Sequence, residues 1–361
     1  MRQIPVVLLF VLYGSTFGQN ENDLLNEKLD RFLLESQTAG VSAAYAINDT
    51  IVWQSAAGYA DIKENKVFKT NTKTRMASIA KSMTALAIMQ LWERSLLDLD
   101  APIQTYIPEY PKQPTTQITT RHLLSHTSGI SGYANNKERN NTRDFSSLTE
   151  ALEVFKDRKL LFEPGTRYSY TTYGYTILGV IIERISNMAF EDYMQKHIWD
   201  KAAMADTGVA RYGALSERTS KIYRRKGGKG QAKEGMETNL SDRIPGGGLY
   251  TTVTDMIKFG NAVINNVFVT SETFELMRQH HSLEKERNGY GFGWFLYGSK
   301  PNEGAIIGHS GAQMGCSSQL WIVPEKKVVV IVLANTSRVE VGGFANELLK
   351  MAFEESKIRG S

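Results

Sequence analysis

The chain has 361 residues, with 42 Lys and Arg against 38 Asp and Glu, 42 % apolar residues and one cysteine. At about 150 residues per domain that is room for about two domains, or one domain with a large insertion. This composition excludes a disordered, collagenous or disulfide-framed protein, and a net charge of +4 gives no basis for nucleic-acid binding.

Met1-Arg2-Gln3, the apolar run Ile4 to Tyr13 and the small residues around Thr16-Phe17-Gly18 follow the order of a secretory signal. A signal peptide is therefore predicted over 1–18, with Gln19 as the first mature residue. The run is too short to span a bilayer, so no membrane span is expected after cleavage. Leu24, Leu25, Leu29, Phe32 and Leu33 recur at helical spacing and predict a helix ending near Gly40. Val41 to Ile47 and Ile51 to Ala57, separated by Asn48-Asp49-Thr50, predict a hairpin. After Ser78, Ile79 to Trp92 reads as a strongly apolar helix. The chain from Leu96 to about Leu276 is mainly helical in pattern. Thr120 is predicted to cap a short helix that ends by Gly129, and Tyr175 to Ile185 to form a buried helix. Thr252 and Asp255 have capping-box spacing before a helix through Ile264. Strands are predicted at Tyr290 to Leu296, Ala305 to Gly308, Gln319 to Val323 and Lys327 to Leu333, and a last helix at Gly343 to Phe353. Strands at both ends with helices between predict an α+β fold whose antiparallel sheet is built from both termini.

Two serines stand in nucleophile-like settings. Ser310, in Gly308-His309-Ser310-Gly311-Ala312, is close to a hydrolase elbow, but no histidine follows it and the next segment reads as strand rather than helix. Ser78-Ile79-Ala80-Lys81 opens the apolar helix. A spacing of three places both side chains on one helical face, where a lysine with a lowered pKa can take the serine proton. The Ser78 backbone N–H, at a helix start, can also stabilise an oxyanion. His122 and His126 have helical spacing but lack the glutamate and third ligand of a zinc motif, so a structural role is expected for both.

After Ser78-Ile79-Ala80-Lys81, the segments His122-Leu123-Leu124-Ser125-His126-Thr127-Ser128-Gly129, Tyr168-Ser169-Tyr170-Thr171-Thr172, Gly246-Gly247-Gly248-Leu249-Tyr250 and Gly308-His309-Ser310-Gly311 follow one another along the chain. In that order they resemble the serine β-lactamase and penicillin-binding-protein superfamily, in its class C β-lactamase-like branch. In motif detail they are most similar to the mitochondrial serine β-lactamase-like proteins. The resemblance implies a sheet domain from 19–80 and 280–361, a mainly helical domain from 81–279, and an active site between them. It implies Ser78 as the acylated nucleophile, Lys81 as proton acceptor and Tyr170 as proton relay. The backbone N–H groups of Ser78 and Ala312 would form the oxyanion hole. His309, Ser310, Gly311 and Thr172 would bind substrate, and Tyr133 would stand on the pocket wall. Thr172 stands where the family has asparagine, and His309 where it commonly has lysine. Both departures argue against an efficient β-lactamase. The expected protein is an exported, periplasmic or extracellular serine hydrolase of small peptides or esters, of D-alanyl-D-alanine carboxypeptidase, D-amino-acid peptidase or esterase type, with no cofactor and no metal. The alternatives are a true β-lactamase and a silent peptide-binding homologue.

Overall fold

The computed structural model describes residues 11–113, 115–225, 227, 229–281, 289–300 and 304–359. In chain order the strands are β1 Gly40–Ile47, β2 Thr50–Asp61, β3 Lys66–Val67, β4 Thr74–Arg75, β5 Gly208–Val209, β6 Tyr223–Arg224, β7 Lys233–Glu234, β8 Leu249–Thr251, β9 Phe295–Lys300, β10 Gly304–Gln313, β11 Cys316–Val323 and β12 Val328–Ala334. The helices are α1 Val11–Ser36, α2 Ala80–Glu93, α3 Thr120–Leu124, α4 Asn136–Arg139, α5 Leu148–Leu152, α6 Tyr173–Ser186, α7 Phe190–Met194, α8 Ile244–Gly247, α9 Val253–Ile264, α10 Ser271–Met277 and α11 Gly342–Arg359.

A seven-stranded sheet in the order β3-β2-β1-β12-β11-β10-β9 joins the two ends of the chain through the antiparallel β1–β12 pair. Every residue of β12 is buried because the strand is covered on both faces. Val328, Val330, Val332 and Ala334 pack with Leu25, Leu29, Phe344 and Leu348 of α1 and α11. Val329, Ile331 and Leu333 point the other way, into a core shared with α2, α6 and α9. α2 is buried all round from Ala80 to Leu91, as a helix threaded between sheet and helical layer must be.

The hairpin turn is two residues, with Asn48 and Asp49 both at positive φ, the twist that suits a tight antiparallel pair. Several boundaries differ from expectation for local reasons. Thr119, rather than Thr120, caps α3 by accepting from His122 N–H at 3.3 Å. The apolar segment from Tyr290 is not a strand until Phe295. Gly293 takes φ +79° there, and Tyr290, Phe292 and Trp294 are buried in a loop. His309-Ser310-Gly311, expected between two strands, lies inside β10, and the chain reverses after Gln313 instead. Thr252 caps α9 as expected, whereas the Asp255 carboxylate accepts from Asp206 N–H and Thr207 rather than closing the box. The expected signal segment falls largely outside the described residues, and α1 runs through Gln19. Among the described residues no helix is long and apolar enough to cross a membrane.

Candidate active site

Ser78 lies on a short 3-10 turn, Ala77–Ile79, leading directly into α2. The turn is held under strain. Ala77 has φ +52°, a conformation that costs a side-chain-bearing residue on the order of 1–3 kcal/mol and persists only where the surroundings enforce it. Three contacts do so. Met76 N–H donates to the Leu249 carbonyl at 3.1 Å, Ser318 Oγ donates to the Met76 carbonyl at 2.9 Å, and the Cys316 thiol donates to the Arg75 carbonyl at 2.9 Å. Burial pushes that thiol up to about 12, so Cys316 is a structural group here rather than a reactive one. Gly311 completes the fit. A Cβ at this position would lie 2.4 Å from the Met76 carbonyl oxygen and 2.2 Å from Ser318 Oγ, so only glycine lets β10 press against the nucleophile turn.

Lys81 is fully buried. Its Nζ stands 3.1 Å from Ser78 Oγ, 2.6 Å from the Gly246 carbonyl oxygen and 3.4 Å from Thr172 Oγ1. Burial first, and the nearby Arg243 guanidinium second, lower its pKa to about 7. Gly246 reaches this position because it has no side chain: a Cβ there would meet Thr172 Cγ2 at 2.6 Å. Thr172 precedes α6 without using its hydroxyl as a cap, which leaves the oxygen for Lys81.

Tyr170 approaches Ser78, and Lys81 Nζ lies 4.9 Å from its ring centroid. Burial raises the phenol well above 10, so it stays neutral at physiological pH. His309 is buried beside it, and both ring nitrogens are engaged. Nδ1 lies 2.6 Å from the Ser310 carbonyl, which only accepts, so Nδ1 carries the proton and Nε2 accepts from the Tyr290 hydroxyl at 3.0 Å. Burial and then Lys81 lower its pKa to about 3. His309 is therefore a neutral ring, not a fixed positive charge.

A cavity of about 250 Å³ opens over Ser78. Tyr133, Tyr170, Thr172, Arg243, Ala312 and Gln313 stand on its wall, while His309, Ser310 and Gly311 do not. A larger groove, about 830 Å³ between α1 and α11, does not include Ser78. His122 accepts from Thr119 N–H through Nδ1, within its own helix cap, and His126 is buried among aromatic rings, so the two do not converge on one point. Among the described residues no group of three or more His, Cys, Asp or Glu is placed to hold a metal.

Sequence reading missed Arg243, the Gly246 carbonyl and Ala77. The triple glycine was visible as a string without a role. Arg243 is buried, bonded to Asp242 at 2.6 Å and to the Arg139 carbonyl at 2.8 Å, and its guanidinium covers the Tyr133 ring at 4.5 Å.

Sheet, nucleophile turn and lysine define a serine hydrolase of the β-lactamase and penicillin-binding-protein class. The Beta-lactamase family profile matches residues 23–350, and the chain belongs to that family. It is 26 % identical to the human serine beta-lactamase-like protein LACTB, mitochondrial, over 94 % of this chain and 80 % of that one. It is 30 % identical to penicillin-binding protein 4* of Bacillus subtilis (strain 168), over 79 % of this chain and 65 % of the relative. The D-amino acid amidase of Ochrobactrum anthropi SV3, solved with L-phenylalanine amide, shares the fold at a TM-score of 0.79, with 21 % identity over 93 % of this chain and 99 % of that one.

Proposed function

We propose that this serine hydrolase is exported and works through an acyl-enzyme on Ser78, with small peptides ending in a D-amino acid, and related esters, as substrates. The observation that carries the reading is the set of three oxygens around Lys81 Nζ. A neutral amine has two N–H groups and one lone pair. With the N–H groups given to the Gly246 carbonyl and Thr172 Oγ1, the lone pair is left for the Ser78 hydroxyl proton. A pKa of about 7 keeps a large share of this lysine neutral at physiological pH, where general-base help is most effective. After proton transfer the ammonium has three N–H groups and three acceptors, so the ion pairs formed on attack are met by groups already in place.

Tyr170, held as a neutral phenol, takes a proton from Lys81 while giving its own to the leaving group. It reverses the exchange when water attacks the acyl-enzyme. The backbone N–H groups of Ser78 and Ala312 are the proposed oxyanion donors, since both residues border the cavity. Among the described residues on the same wall Arg139 and Arg243 are cations and none is Asp or Glu; Arg243 is paired with Asp242, so Arg139 is the cation that suits the terminal carboxylate of a peptide. The D-amino-acid preference rests on the penicillin-binding-protein and D-amino acid amidase relatives. Export rests on the N-terminal pattern.

Incubation with a fluorophosphonate followed by peptide mass spectrometry is expected to place one adduct on Ser78, lost in Ser78→Ala. Release of D-alanine from a peptide ending in D-Ala-D-Ala, and not of L-alanine from its L,L isomer, is the expected activity. Lys81→Ala and Tyr170→Phe are each expected to lower turnover at least about a hundredfold. Labelling elsewhere, or none between weakly acidic and weakly basic pH, overturns the mechanism. Rapid turnover of a penicillin, in place of a stable adduct, would make the chain a β-lactamase.

A further inference from the structure

We propose that His126 is the positioning residue for Tyr170. The inference rests on the proton-relay reading of that tyrosine. Tyr170 lies outside regular structure, before α6 begins at Tyr173, so no helix or strand fixes its backbone. His126 supplies the missing constraint from both sides. Ser169 N–H donates to the His126 carbonyl at 2.9 Å, and Thr171 N–H donates to His126 Nδ1 at 3.3 Å. The peptide groups flanking the tyrosine are thus tied to one residue. The imidazole also packs on the phenol ring itself, centroid to centroid 4.2 Å.

This arrangement fixes the chemistry of the histidine. Nδ1 accepts an N–H, so Nε2 carries the ring proton. Nε2 is buried without a hydrogen-bond partner, and the rings of Tyr175 and Tyr290 flank the imidazole at 5.2 and 4.8 Å. A histidine that served only to fill space would not need an acceptor aimed at a single amide. The backbone carries a further mark: His126 has φ +59°, an uncommon conformation for a residue with a side chain, at the residue whose carbonyl and ring both accept from the Ser169–Thr171 segment. Displacing a reacting group by about 1 Å can cost on the order of a hundredfold in rate, so this hold bears directly on catalysis.

Asparagine at this position tolerates positive φ and places its Oδ1 close to where Nδ1 stands, whereas phenylalanine keeps a ring and removes the acceptor. Burst kinetics with p-nitrophenyl acetate separate acylation from deacylation in both variants, alone and combined with Tyr170→Phe. His126→Phe is expected to lower kcat at least about tenfold with KM within about threefold, and His126→Asn to restore kcat to within about threefold of the natural chain. In the Tyr170→Phe background, His126→Phe should produce no further loss, because its effect passes through the hydroxyl already removed. Equal losses in both backgrounds, or equal impairment of the Asn and Phe variants, overturn the positioning role. If His126→Phe does not fold, His126→Gln, whose amide extends past the Nδ1 position, takes its place in the same cycle. Natural turnover by Tyr170→Phe alone would instead defeat the relay reading on which the inference stands.

Discussion

Lys81 pays for its reactivity in solvation. A lysine in water is an ammonium up to a pKa of 10.5, and full burial beside the Arg243 cation brings that to about 7. The neutral form is the reactive one. The value of kcat/KM for an ester is therefore expected to rise with pH through an apparent pKa near 7 and level above it. In Arg243→Gln the loss of a neighbouring cation stabilises the ammonium, so the limb moves to higher pH and the rate at neutral pH falls. Arg243→Lys keeps the charge and should leave the limb nearly in place. A pH–rate profile that does not move, or moves toward acid, in Arg243→Gln removes Arg243 as a charge that tunes Lys81 and leaves burial as the cause of its lowered pKa. The serine–lysine spacing was legible because i and i+3 share a helical face whatever the rest of the chain does. The tuning was not legible: the Gly246 carbonyl that accepts from Lys81 is 165 residues away in sequence.

The elements meet at the site through close backbone approach. β10 runs past the Met76–Ala77 backbone, and the contact exists only because residue 311 has no side chain. Gly311→Ala is expected to destabilise the fold by about 1–3 kcal/mol through overpacking. It should also lower ester turnover more than tenfold, because the extra methyl pushes β10, and with it Ala312, away from Ser78. Thermal unfolding and turnover of the same preparation check both effects, and natural turnover in a folded Gly311→Ala would show that the two strands of backbone need not touch. Expectations failed in this region for the same reason. The glycines around His309 look like turn residues, yet they serve packing inside a strand. The apolar run from Tyr290 has the composition of a strand, but Gly293 turns it into a buried loop that delivers the Tyr290 hydroxyl to His309.

Across the whole molecule, burial of ionisable rings couples folding to pH. His309, lowered to about 3, and His126, lowered well below 6.5, are neutral in the folded chain over a range where the unfolded chain binds protons. Unfolding then takes up protons, so stability falls as pH drops below about 6.5, by up to about 2.7 kcal/mol per pH unit from these two groups. Urea unfolding midpoints measured from neutral to mildly acid pH should decline accordingly, and His309→Gln should make the decline shallower. A midpoint flat across that interval would mean that both rings protonate without disturbing the core.

The sequence alone determined those features that depend on neighbours in the chain. The β1–β2 hairpin follows from two apolar-rich segments either side of Asn48-Asp49-Thr50, α2 from a mostly apolar run, and the Ser78–Lys81 pair from helical geometry. The motif order along the chain carried the family. Only the tertiary structure decided which groups finish the site. Arg243 tunes Lys81 from a distant segment, His309 turns into the aromatic cluster and lies off the cavity wall, and β10 extends through the segment expected to lie between two strands. A glycine's local preference is for turns, but its value in a packed interior is the space it leaves. That space is measured against a partner far along the chain, so folding has to bring the two together before the residue acquires its meaning.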